Sequence, residues 1–151
     1  VSILRRVFIT GAIMWAALIP LAPLAASQPA PARFWYPLAL VLYAAGSVVC
    51  HQLPERSFHL WSAQAPVCAR CTGIYLGAAV LAACAIVWPR AVRLNDDVRR
   101  TRALLAIAVL PTVVTLAYEW TTGDTPSNAW RAVAGAPLGS AVAFVVMSGV
   151  R

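Results

Sequence analysis

Three of the four cysteines and both histidines fall within residues 50–71, with an acid, two arginines and two prolines. Cys68-Ala69-Arg70-Cys71 is a CxxC opening a helical pattern, where the macrodipole and unpaired N–H groups favour a thiolate and Arg70 adds positive charge. Cys50-His51 lies one ribbon-length upstream, the place a zinc ribbon gives its first CxxC pair. Three thiolates and one imidazole form a closed tetrahedral zinc set. The metal candidates are therefore Cys50, Cys68 and Cys71 with His51 or His59; adjacent residues rarely ligate one ion together, so His59 competes with His51.

The same sulfurs support a second chemistry. A CxxC at the head of a membrane helix, with a third cysteine to exchange with, is the layout of a thiol–disulfide oxidoreductase passing electrons to a quinone. A third reading is a plain structural bridge, with no cofactor. Cys84 lies 13 residues beyond Cys71, about 20 Å along a helix at 1.5 Å per residue, and reads as a core residue.

Charged groups gather on the side of these thiols. Glu119 and Glu55 are the candidate catalytic acids. Arg56, Arg70, Asn128 and Arg131 are candidates for holding an anion such as a lipid phosphate, since guanidinium forks match phosphate oxygens. Ionisable groups near a bilayer are functional candidates by default; interfacial snorkelling is the competing reading for the arginines. Ser127 and Asn128 read as caps of the last helix.

The elements that position these groups are membrane helices. Hydrophobic residues make up 61% of the 151 residues and charged residues 11%, against roughly 45–50% and 25% in soluble domains. A soluble chain of this length could not cover that apolar surface. The net charge of +7 lies in short loops between apolar runs, which suits anionic lipid and not nucleic acid. Apolar runs of near membrane length predict helices over 7–26, 34–50, 71–88, 103–120 and 129–150, in one membrane domain spanning 1–151, with a polar loop over 50–71. The first run, led by Arg5-Arg6, is read as a retained helix; a cleaved signal peptide is the alternative. Residues 27–33 form a Pro/Ala linker, and Phe34-Trp35-Tyr36 an interfacial anchor.

Helices three and four return the chain to one side, so the 50–71 loop and the 121–128 turn share a compartment. The 90–102 loop, with five Arg and Asp96-Asp97, faces the other. The positive-inside rule puts that loop in the cytoplasm and the thiols outside a bacterial cytoplasmic membrane. Five crossings would leave Arg5-Arg6 outside, against the same rule. Gly73/Gly77 and Gly135/Gly139 are small-xxx-small pairs that let helices approach closely.

Cys50-His51-Gln52, Pro54-Glu55-Arg56-Ser57-Phe58 and Pro66-Val67-Cys68-Ala69-Arg70-Cys71-Thr72-Gly73-Ile74-Tyr75-Leu76-Gly77 resemble the signature of a family of small prokaryotic membrane proteins, the domain of unknown function 2085. Ser127-Asn128, Arg131 and Gly135 resemble a later pattern of that family; Glu119-Trp120 stand near where members often carry Asp-Gly and a Gln. The resemblance implies a polytopic membrane protein and assigns no activity. The expectation is an all-α transmembrane bundle of four or five helices with a Cys/His-rich loop. Three functions fit these residues: a metal-binding membrane protein, a thiol–disulfide oxidoreductase, and a structural subunit without chemistry. Membrane lipids are the expected partners.

Overall fold

A computed structural model describes residues 3–28, 35–88 and 98–149. The 90–97 part of the arginine-rich loop, with Asp96-Asp97, lies outside the described residues, as do Phe34 and residues 29–33 of the linker. The elements run α1 (Ile3–Ala26), α2 (Trp35–Val49), a 3-10 turn (Pro54–Arg56), β1 (Ser57–Leu60), β2 (Ala63–Cys68), α3 (Ala69–Val87), α4 (Val98–Thr122) and α5 (Asn128–Gly149). The fold is a helical bundle with one small hairpin.

α3 and α5 form its spine, and small residues explain how. A methyl group on Gly73 or Gly77 would meet the backbone of Ala132 or Ala136 on α5, with the carbonyl oxygens nearest. Reciprocally, one on Gly135 or Gly139 would meet the carbonyl of Arg70 or Ile74 on α3. Both predicted small-residue pairs thus lie in the same seam, each receiving the other helix's backbone. Close approach of this kind drives helix association where lipid removes the hydrophobic effect. Ser140 Oγ donates to Gly77 O across 3.0 Å, and on α4 Thr112 Oγ1 donates to Ala134 O across 2.9 Å.

Four helices, α1, α3, α4 and α5, are long and apolar enough to cross a membrane; α2 is shorter. At 15 residues it reaches about 22 Å, less than the ~30 Å of a hydrocarbon core. α1 runs antiparallel to α3. Phe8, Ile9 and Ala12 pack on Ala82, Ala85, Ala143 and Met147 at the far end of α3 and α5. Trp15 meets Tyr75 edge-on at 5.9 Å. The last turns of α1 therefore reach β2, which α1 contacts. This direction changes the expected arrangement. Arg5 and Arg6 lie at the end of the bundle that carries Arg99, Arg100 and Arg102, away from the thiols. The five-crossing count put them beside the thiols because it let α2 span.

The loop expected over 50–71 contains a strand pair. β1 and β2 are antiparallel, with Ser57 opposite Cys68, His59 opposite Gln64 and Leu60 opposite Ala63, and an irregularity between Ser57 and His59. Trp61 and Ser62 make the turn with φ of 51° and 63°, both left-handed, as a two-residue turn that follows the strand twist demands. Neither is the Gly, Asn or Asp that usually announces such a turn.

Candidate functional site

The site is assembled at the end of the bundle where α2, the hairpin and α3 meet. Gln52 stitches the first of these to the second. Its backbone is left-handed, at φ 51°, and its Nε2 donates to Tyr43 O across 2.8 Å and to Pro66 O across 2.6 Å. The Tyr43 hydroxyl donates to Gln64 O, and Gln64 Nε2 to Gln52 O. Gly46 lets the Pro66 carbonyl lie against α2, where a side chain would strike it.

This clamp brings Cys50 to the end of β2 and the start of α3. The ligand atoms of Cys50, Cys68 and Cys71 lie within 4.8 Å of one another, and all three cysteines are free and half-buried. Cys68 N–H donates to Cys50 Sγ across 3.1 Å. The Cys71 thiol hydrogen-bonds to the Cys68 sulfur and, with N–H groups of Cys71 and Arg70 and the Cys50 side chain, outweighs burial and pulls Cys68 down to about 5. The Cys71 thiol thus favours the thiolate form of Cys68, as a helix N-terminus also does.

His51 lines the same cavity as the three cysteines. His59 is exposed on β1 and does not line it. Among the described residues the group close enough to share an ion is the three sulfurs, with neither histidine joining at that spacing. Cys84, on α3, stands apart from them.

The cavity, about 190 Å³, is also lined by Arg56, Arg70 and Arg131. All three guanidiniums converge on Glu119. Arg70 Nη2 and Arg131 Nε reach its Oε1 at 2.8 and 3.1 Å, and Arg56 Nη1 lies 3.7 Å from Oε2. The Glu119 and Arg131 side chains are 3% and 2% exposed. Arg70 also meets Thr115 Oγ1 at 3.3 Å. Arg131 Nη1 donates to Asn128 Oδ1 across 3.3 Å, and Asn128 Nδ2 to Ser57 O across 2.9 Å. The network thus ties α3, α4, α5 and the hairpin together. Ser127, the residue before α5, supplies the expected cap, with Trp130 N–H 3.4 Å from its Oγ. Asn128 instead bridges Arg131 to the hairpin.

Glu55, the other candidate acid, is exposed on the 3-10 turn, while Glu119 is enclosed by arginines. The residues that sequence reasoning missed are Tyr43, Gly46, Gln52 and Gln64. Only Gln52 carried a signal, as a member of the Cys-His-Gln motif.

Similar proteins place this geometry in context. The chain is 38% identical over 94 residues, 62% of its length, to the protein named uncharacterized protein MJ1492 of Methanocaldococcus jannaschii. It is 60% identical over 30 residues, 20% of its length, to an uncharacterized protein of Methanothermobacter thermautotrophicus. The chain covers 58% of the first relative and 27% of the second. No solved structure matches it. A family model matches residues 50–145, from Cys50 through all three arginines and Glu119 into α5, and the chain belongs to that family, described as predicted membrane protein (DUF2085).

Proposed function

We propose that this membrane protein is built around a thiolate metal site, with Cys50, Cys68 and Cys71 as ligands and zinc as the fitting ion. One observation carries the reading: three sulfurs from α2's end, β2's end and α3's first turn lie within 4.8 Å of one another. Tetrahedral zinc with bonds of about 2.3 Å needs sulfurs roughly 3.8 Å apart, a small adjustment from this arrangement. His51, lining the cavity, is the protein residue at hand for a fourth position; a cavity anion is the other candidate. His59, which does not line the cavity, is not included. Zinc here would hold the hairpin to the bundle and polarise an anion beside it.

The positive-inside rule puts the end bearing Arg5, Arg6, Arg99, Arg100 and Arg102 in the cytoplasm of a prokaryotic cell. The thiols then face the extracytoplasmic side, where metal ligation would guard them against oxidation.

A second reading has an observation of its own: the three thiols are free, and Cys50 is near enough to both others to exchange with either. The Cys68–Cys71 dithiol would close to a disulfide, releasing two electrons and two protons that reduce a quinone to its quinol.

Elemental analysis of the purified chain beside Cys68→Ser separates the two. One zinc per chain, lost in the variant, supports the metal site. Near-zero metal in both, with thiol titre rising on reduction, supports exchange. Near-zero metal with a constant titre sinks both.

A further inference from the structure

We infer that the cavity beside the three sulfurs is a binding site for a phosphate group, presented by a lipid at the membrane surface. The inference goes beyond the metal reading and does not depend on it.

Charge makes the first argument. Three guanidiniums face one carboxylate, so two positive charges are left over, and one even when Cys68, which lines the same cavity, is counted as a thiolate. A zinc ion with three thiolates carries a net charge of minus one, so even a metal-loaded cavity keeps a positive balance. Buried charge is costly unless paired, more so beside hydrocarbon. An anion restores the balance.

Unused donors make the second. Arg131, 2% exposed, lines the cavity, and its buried Nη2 has no hydrogen-bond partner among the described residues. The buried Nε atoms of Arg56 and Arg70 are likewise unpartnered. Glu119 Oε2 is orphaned as well, 3.7 Å from Arg56 Nη1, but the three N–H groups outnumber that one acceptor. Buried polar groups are almost always hydrogen-bonded, so the surplus of donors on residues lining one small cavity points to a ligand rich in acceptors. A phosphate has that character, and guanidinium forks suit it.

Size and depth make the third. At about 190 Å³ the cavity falls below the roughly 300–1,000 Å³ of pockets for whole small molecules. It suits a headgroup whose remainder lies elsewhere. Trp61, Trp120 and Trp130 are 56%, 80% and 67% exposed at this end of the bundle, and Trp88 is exposed at the other. Exposed tryptophans at both ends mark the two interfaces of a bilayer, which sets the cavity at headgroup level. Val49 and Leu53, exposed apolar residues, line its wall.

The test uses the full chain in a phosphate-free detergent, with equilibrium dialysis of radiolabelled dihexanoyl phosphatidate and of radiolabelled inorganic phosphate. The expected result is saturable binding of phosphatidate, weakened about tenfold in Arg56→Gln, the size of one charge-assisted hydrogen bond, and lost in Arg131→Met. Arg56 is 39% exposed at the rim, so its variant tests binding without endangering the fold. Tighter binding of phosphatidate identifies the lipid as the source. Equal binding of inorganic phosphate supports the phosphate site and moves its source to free phosphate. Saturable binding of neither, or equal affinity in wild type and Arg56→Gln, overturns the inference. Zinc measured in the same samples reports separately on the metal site.

Discussion

The backbone N–H of Cys68 points at the Cys50 sulfur across 3.1 Å. The bond joins the end of α2 to the start of α3, and it feeds a donor to a sulfur that metal ligation would leave negatively charged. Its geometry rests on Gln52, which donates to Tyr43 O and Pro66 O. Supporting contacts of this kind are worth about 10–100-fold in metal affinity. Gln52→Leu keeps all three sulfurs and is expected to weaken zinc binding by that factor in competition against a chromogenic chelator. Unchanged affinity would show that the clamp does not shape the site.

Glu119 is enclosed by Arg70 and Arg131 with almost no exposure. Removing one partner of a buried pair leaves an uncompensated charge and costs about 3–5 kcal/mol. Glu119→Gln is therefore expected to unfold well below wild type in a detergent thermal melt, and a phosphate ligand would recover part of the loss. A melt equal to wild type would mean that the arginines do not need their carboxylate.

The Cys68 thiol is held at about 5, below an unperturbed value of about 8.5. A depressed acid stabilises the fold above its unfolded pKa, and that contribution is lost as pH falls through the folded value. Stability from this group is thus complete above about pH 8.5 and gone below about pH 5. In chelator-treated protein, alkylation of Cys68 by iodoacetamide should stay near its maximum at pH 6.5 and fall to half near pH 5. A midpoint near 8.5 would place an ordinary thiol there.

At Gly139 an added methyl meets the Ile74 backbone, whereas at Gly11 it meets nothing within 4 Å. Gly139→Ala should cost about 1–3 kcal/mol as overpacking. Gly11→Ala should be neutral or slightly stabilising, because Ala is the better helix former. Unfolding by denaturing detergent compares the two. Equal effects would mean that the α3–α5 seam is not close-packed.

Composition made the helices legible, because an apolar run of membrane length has few other uses. The thiol cluster was legible from residue type and spacing. The convergence of Arg56, Arg70 and Arg131 was legible only as a shared side of the membrane. Pairing with Glu119 depends on how α4 and α5 rotate, and α4 carries no clear apolar stripe to announce its facing. The hairpin stayed hidden because Trp61-Ser62 is not a typical left-handed pair and Pro66 lies within β2, where proline argues against a strand. The direction of α1 could not be read from length alone: residues 34–50 pass for a crossing until the short span of α2 is seen.

That direction has a consequence for topology. With four crossings, both arginine-bearing ends lie on one side of the membrane and the Trp61-Ser62 turn on the other; the positive-inside rule proposes the cytoplasm for the first. Ser62→Cys should react with a membrane-impermeant maleimide in intact cells, above the background of the parent protein. Reaction only after lysis would reverse the orientation.

Zinc-edge X-ray absorption on the purified protein tests the central claim most directly. Three sulfur scatterers at about 2.3 Å with one lighter neighbour at about 2.0 Å are expected. A shell of nitrogen and oxygen alone, or no bound zinc in protein whose three thiols are reduced, would contradict it.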